Sequence, residues 1–235
     1  MNLLILEAGD LIAPDRARVT GRRLVHAREI LKAQGGTTLR AGLLGGAMGR
    51  AQVAKLDEEG LELALAWDEA PPAKLPLTLL LALPRPKVLN RVLASAASLG
   101  VARLVLLNAW KVEKAYWKSP RMEPANLREQ LILGLEQARD TALPDLQVER
   151  LFKPFVEDRL PHLLAGATGF VADPTGEEPC PRGLSGPTVL AVGPEGGWIP
   201  SELESLRRAG LRGIHLGPRI LRTETALASL IGRLG

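Results

Sequence analysis

The stretch "LAVGPEGGWIPSELESL" (190–206) governs how this chain is read. An apolar run over residues 190–192 enters a glycine turn with a single carboxylate, Glu195, and a helix leaves it. Ser201 and Glu204 have the S-x-x-E spacing of a capping box just after Pro200, which predicts a helix starting near residue 202. The glycines therefore precede the helix instead of opening it. Gly193, Gly196 and Gly197 also fail the G-x-G-x-x-G spacing of a dinucleotide loop, and no G-x-x-x-x-G-K-[ST] occurs. Such glycines let backbone approach a flat, largely uncharged ligand.

Working outward, "IHLGPRILRTETALASLIGRLG" (214–235) repeats the arrangement. A strand ends at Leu216 and Gly217, a proline loop follows, and Arg219, Arg222 and Glu224 crowd the start of the last helix. "FVADPTG" (170–176) ends the same way. Loops at adjacent strand ends are where open α/β sheets place ligands.

Between residues 77 and 235, apolar strand-like runs alternate with helical patterns. "LTLLLAL" (77–83) precedes a helix over 87–100, "RLVLL" (103–107) precedes one over 125–143, and the alternation continues to the C-terminus. Continuous apolar strands alternating with helices indicate an α/β domain built on a mostly parallel sheet.

Residues 1–68 read differently. "NLLIL", "TTLRAGLL", "GRAQVAKL" and "GLELALAW" are short strands separated by glycine-rich turns, with one helix over about residues 25–33 closed by Gly35 and Gly36. A small barrel fits this pattern. "DEAPPAKLP" (68–76) holds three prolines and marks a boundary, giving domains at 1–68 and 77–235 with 69–76 as linker.

Nine basic residues stand against one acid between Arg16 and Lys55, followed by six acids and no base in "DEEGLELALAWDE". Concentrated positive charge suits a phosphate backbone, and arginine, 22 of the 30 basic residues, suits bidentate recognition. No apolar run is long enough to span a membrane, and the N-terminus lacks the basic start of a signal peptide. The lone Cys180 reads as a free thiol, and His26, His162 and His215 are too scattered to hold a metal. These features predict a soluble cytoplasmic protein without a metal.

"GPEGGW…E" followed by "LGPRILRTETA" resembles the C-terminal signature of the SPOUT methyltransferases, nearest to the family that methylates N3 of a uridine in bacterial 16S ribosomal RNA. "HAREILKAQGG" and "EQARDTALP" resemble further segments of that family. The resemblance implies an N-terminal PUA-like β-barrel, a C-terminal trefoil knot, a homodimer and S-adenosylmethionine as methyl donor. It assigns the donor to Asp173 and Pro174, to the turn of Gly193, Pro194, Glu195, Gly196 and Gly197, and to Leu216, Gly217, Pro218, Leu221, Arg222, Thr223, Thr225 and Ala226.

Methylation at uridine N3 requires loss of the imide proton and stabilisation of charge on O2 and O4. Arg222 suits the second task; Glu195 or Glu224 suits the first, or orients that arginine. Arg16, Arg18, Arg22, Arg23 and Arg28 are the expected grips on ribosomal RNA or the small subunit, with Arg22, Arg23 and Arg28 foremost. Trp198 either stacks on a base or packs against a partner subunit. Two places depart from the family pattern. Ser95 and Ser98 occupy its basic and acidic positions, and Asp140 takes the arginine position with Arg139 one residue early, a one-residue shift that turns a side chain by about 100° on a helix. Other readings of the same residues are an enzyme for another ribosomal or transfer RNA position, and a non-catalytic RNA-binding assembly factor.

Overall fold

Strands buried on one face and strands buried on both divide this chain in two. The computed structural model describes residues 2–235, which form two compact units. One takes the chain up to residue 73 together with residues 132–143; the other takes 74–131 and 144–235.

The first unit contains β1 (Leu4–Leu6), β2 (Leu11–Ala13), β3 (Arg16–Val19), α1 (Gly21–Glu29), β4 (Thr38–Leu43), β5 (Met48–Leu56) and β6 (Leu61–Glu69). They make one six-stranded sheet in the order β1-β4-β5-β6-β3-β2, antiparallel except for the parallel β1–β4 pair. Burial alternates along β3 and through much of β5, as expected of a sheet with one wet face. Its buried face joins Leu6, Val19, Val53 and Leu63 in a core that also takes Leu24 and Ala27 of α1.

Three expectations change here. The sheet is not closed by hydrogen bonds: β1 and β2 are its edges, and no ladder joins them among the described residues. The strands at 11–13 and 16–19 are too short to reveal themselves by alternation. Finally, α1 lies over Gly21–Glu29 instead of 25–33, because Leu24 and Ala27 are its buried positions and Lys32, at φ 50°, turns the chain before the glycines are reached.

Residues 132–143 join this unit through the backbone. Asn2 and Leu3 both donate their N–H to the Glu136 carbonyl (3.1 and 3.0 Å), and Gly45 donates to that of Thr141 (2.7 Å).

The second unit begins with β7 (Leu75–Ala82), α2 (Pro86–Ser98), β8 (Val101–Leu107) and the first part of α3 (Pro124–Ala138). It continues through β9 (Asp145–Glu149), α4 (Phe152–Pro154), a wide turn over Phe155–Arg159, α5 (Leu160–Leu164), β10 (Thr168–Ala172) and the two-residue β11 (Glu178–Pro179). It ends with β12 (Thr188–Val192), α6 (Pro200–Arg208), β13 (Leu211–His215) and α7 (Thr223–Leu234). The sheet order is β11-β13-β10-β12-β7-β8-β9, and every pairing is parallel.

This is an α/β fold with a seven-stranded parallel sheet. Leu77, Leu79, Leu80 and Leu81 of β7 are all fully buried, which is why the sequence reads there as one unbroken apolar run. On α2, Leu89, Val92, Leu93 and Ala96 recur at helical spacing on the buried face. The chain winds outward from β7 through β8 to β9, then crosses back to build β10 to β13 on the other side. Such a reversal leaves a crevice at the carboxyl ends of the strands. No described helix is long and apolar enough to cross a membrane.

Candidate active site

Three neighbouring strands, β12, β10 and β13, end at the same edge of the sheet, so the loops that leave them meet although they lie far apart in sequence. Together with α7 they enclose a cavity of about 410 Å³, within the range of small-ligand sites. Asp173 and Pro174 line it from the first loop and Gly193, Pro194, Glu195, Gly196 and Gly197 from the second. Leu216, Gly217 and Leu221 line it from the third, and Thr223 and Ala226 from α7. Pro218, Arg222, Glu224 and Thr225 are not among its lining residues. Trp198, His215, Arg219 and Ile220 line it as well and are not in the expected donor set; their sequence signal is their place beside the glycine turn, for Trp198, and in the segment 214–235, for the other three.

The loops are shaped by their own backbone. Asp173 spends one carboxylate oxygen locally, accepting the Thr175 N–H (2.8 Å) and hydroxyl (2.5 Å). Gly217 has φ 102°, a region that favours glycine, and donates its N–H to His215 Nδ1 (2.9 Å). In the glycine turn, a Cβ on Gly193 would sit 3.1 Å from the Trp198 indole nitrogen. The Gly196 carbonyl accepts from Lys111 Nζ (2.7 Å).

Trp198 is buried and tilted against Phe152, ring centroids 6.1 Å apart. That is packing within the chain, and its indole N–H has no partner among the described residues. The lining is thus largely backbone and apolar surface, with Asp173, Glu195, His215 and Arg219 supplying the ionisable groups.

The capping pair expected at Ser201 and Glu204 is not the one that forms. α6 starts at Pro200 with Ile199 as its N-cap, and Glu202 at the third helical position accepts the Ile199 N–H (3.1 Å). The other oxygen of Glu202 accepts the Trp110 N–H (2.7 Å), so two backbone donors satisfy a carboxylate only 6% exposed. Glu204 instead faces Arg208 one turn on, at 3.9 Å.

The three candidates for chemistry differ in freedom. Glu195 accepts the Arg85 N–H at 2.9 Å, tying the glycine turn to the loop after β7. Glu224, in the first turn of α7, faces Arg91 of α2 at 3.5 Å. Arg222 is the N-cap of α7, exposed, and makes no capping bond with its side chain. Cys180 is buried, and burial pushes its thiol pKa up, which leaves it inert.

In the first unit, the arginines expected to grip RNA divide. Arg22 forms a forked pair with Glu136 (both contacts 3.2 Å), whose side chain is 3% exposed. Arg23 forks onto Asp10 (2.5 and 2.7 Å) and donates to the Ile5 carbonyl (2.9 Å). Arg22 thus partners a buried carboxylate, which requires one, and Arg23 links the half-buried Asp10 to the β1 backbone. Arg16, Arg18 and Arg28 are exposed, Arg18 lying 3.7 Å from Glu59 and Arg28 3.3 Å from Glu29.

The profile of the RNA methyltransferase domain family matches residues 71–235. The ribosomal RNA small subunit methyltransferase E of Treponema pallidum is 31% identical over 212 residues, 87% of this chain and 79% of that protein. The chain belongs to this RNA methyltransferase family. Another relative, the ribosomal RNA small subunit methyltransferase E of Mycobacterium tuberculosis, is 28% identical over 93% of this chain and 86% of its own. Among solved structures, that of Neisseria gonorrhoeae, bound to S-adenosyl methionine, superposes with a TM-score of 0.75 at 21% identity over 98% of this chain and 96% of that one.

For this member of the RNA methyltransferase family, the offset at residues 139–140 is not a rotation about a helix. α3 ends at Ala138, and Arg139 takes φ 58°. Asp140 is buried and accepts the Ala142 N–H (2.8 Å), holding the turn that follows. Ser95 and Ser98 lie half-buried on α2.

Proposed function

We propose that this enzyme transfers a methyl group from S-adenosylmethionine to N3 of a uridine in 16S ribosomal RNA of the small subunit. The observation that carries this reading is the convergence of three glycine- and proline-bearing loops on one cavity in a chain of the RNA methyltransferase family. The lining fits such a donor. Backbone and apolar surface suit an adenosine, and the few ionisable groups suit the charged amino-acid end. When bound, S-adenosylmethionine supplies an electrophilic methyl carbon on its sulfonium.

The chain's own residues supply the rest. Glu195 lines the cavity and has one oxygen held by the Arg85 amide. The hydrogen bond fixes the carboxylate while its second oxygen is placed to take the imide proton, which ranks it above Glu224 and its Arg91 pairing. Arg222, at the start of α7, donates to the carbonyl edge where charge accumulates. Asp173, Gly193, Gly196, Gly217 and Thr223 hold the donor, and Arg16, Arg18 and Arg28 contact RNA backbone from the first unit.

The same reading includes a PUA-like first unit, a homodimer, a cytoplasmic setting and a trefoil knot. The knot is supported by chain paths: the connection from β10 to β12 swings out past β13 to form β11, and α7 then returns to pack on α2. The Gly183 N–H donates to the Arg233 carbonyl (3.1 Å), which ties that connection to α7.

The test is transfer of labelled methyl to small subunits from a strain lacking the gene, with the product nucleotide identified by mass spectrometry. N3-methyluridine at one position is expected. Label on another nucleotide overturns the target, and no label overturns the activity.

A further inference from the structure

Trp110 is 79% exposed on the long loop between β8 and α3, in the unit that holds the cavity. The sixteen residues 108–123, "NAWKVEKAYWKSPRME", contain three of the eight aromatic residues of the chain, Trp110, Tyr116 and Trp117. They also carry Lys111, Lys114, Lys118 and Arg121 against two acids. Aromatic rings interleaved with cations are the composition of a surface that follows single-stranded nucleic acid.

The aromatics are used unequally. Tyr116 donates its hydroxyl to Glu113 (2.8 Å), and Trp117 donates its indole N–H to Asn108 (2.9 Å) under the Arg150 guanidinium at 5.4 Å. Both serve to hold the loop. The Trp110 indole, by contrast, meets no hydrogen-bond or ring partner among the described residues.

Its backbone is nevertheless pinned. The Trp110 N–H ends on the buried Glu202 at 2.7 Å, and the neighbouring Lys111 reaches the Gly196 carbonyl of the cavity lining at 2.7 Å. A large apolar ring is thus held out in water at a fixed place beside the cavity. Arg85, Arg219 and Arg222 are exposed on the segments leading into α2 and α7, and Lys87 is exposed in the first turn of α2, at the same edge of the sheet.

We propose that Trp110 is a stacking platform for a base of the RNA strand presented to the cavity, with Lys114 and Lys118 contacting phosphates on either side of it. This rests on the proposed activity for its context, but binding tests it independently. Loss of a stacking contact lowers affinity without changing the number of phosphate contacts, whereas each phosphate contact adds to the salt dependence.

The experiment measures anisotropy of a fluorescein-labelled single-stranded oligoribonucleotide against the full-length protein at several salt concentrations. Alongside it run cofactor calorimetry and sedimentation. Trp110→Ala is expected to weaken RNA binding about 5- to 100-fold with the salt slope, cofactor affinity and sedimentation unchanged. Trp110→Phe should keep most of the affinity. Lys114→Gln and Lys118→Gln should each lower the slope by about 0.7.

Equal RNA affinity of Trp110→Ala and the unsubstituted protein overturns the proposal. So does a shift in sedimentation, which would make Trp110 a contact between copies of the chain. If the unsubstituted protein methylates no ribosomal RNA yet loses oligoribonucleotide binding on Trp110→Ala, the proposed activity falls and the platform stands.

Discussion

Arg22 and Arg222 carry the same head group in opposite surroundings. Arg22 of α1 is spent on Glu136, a carboxylate buried to 3% exposure. Arg222 caps α7 with its backbone and keeps its guanidinium in the open. Arg23 and Arg219 repeat the contrast, one forked onto Asp10 and the other lining the cavity. The difference teaches that a basic run in sequence becomes a binding surface only where no buried acid claims it. Glu136 lies more than a hundred residues from the arginine it claims.

Four measurements break or sharpen this contrast. Arg222→Ala should cut methyl transfer by about a hundred- to a thousandfold at saturating substrates, the usual cost of removing one charge-stabilising donor. Cofactor affinity and thermal unfolding should stay level, and full turnover would remove Arg222 from the chemistry. Arg22→Ala should do the reverse, leaving the Glu136 carboxylate buried without its forked partner. A loss of about 3 kcal/mol at most is expected, since the guanidinium is partly screened by water; scanning calorimetry would detect it, and an unchanged profile would return Arg22 to the RNA-binding set.

A smaller effect is expected at Gly193→Ala, whose methyl group would press on the Trp198 ring from 3.1 Å. Overpacking of this kind costs about 1–3 kcal/mol, read as weaker donor binding by calorimetry. The smallest concerns His26, beside Arg22. Burial lowers its pKa below the usual 6.5, with Arg22 adding to the effect and Glu136 opposing it. The unfolded chain therefore takes up the proton first as pH falls. Stability linked to this group is complete above about 6.5 and is lost as pH drops through the lower folded-state value. Denaturant titrations from pH 7.5 to 5 should show that slope flattened in His26→Gln.

The sequence disclosed the second unit better than the first, for physical reasons. Fully buried parallel strands such as β7 and β12 are apolar at nearly every position, and the loops after β10, β12 and β13 carry glycine and proline where backbone must turn. Strands of three or four residues, such as β2 and β3, are too short to display a period. The capping partner was misread because Glu202 and Glu204 both fit a helix start, and only the distant Trp110 amide distinguishes them. The offset of Arg139 and Asp140 is legible in sequence, but its meaning is not, since nothing local announces that the helix stops at Ala138. The cavity was legible as three loops, whereas the partner that occupies Glu224, Arg91, comes from another element.

Glu202 also sets a clock. One carboxylate holds both the Ile199 and the Trp110 amide protons, so neither is released to solvent while that group stays in place. Two segments almost ninety residues apart should then open as one unit, and their amide protons should exchange with heavy water at a common rate. In Glu202→Gln, which offers one acceptor oxygen in place of two, the two rates should part.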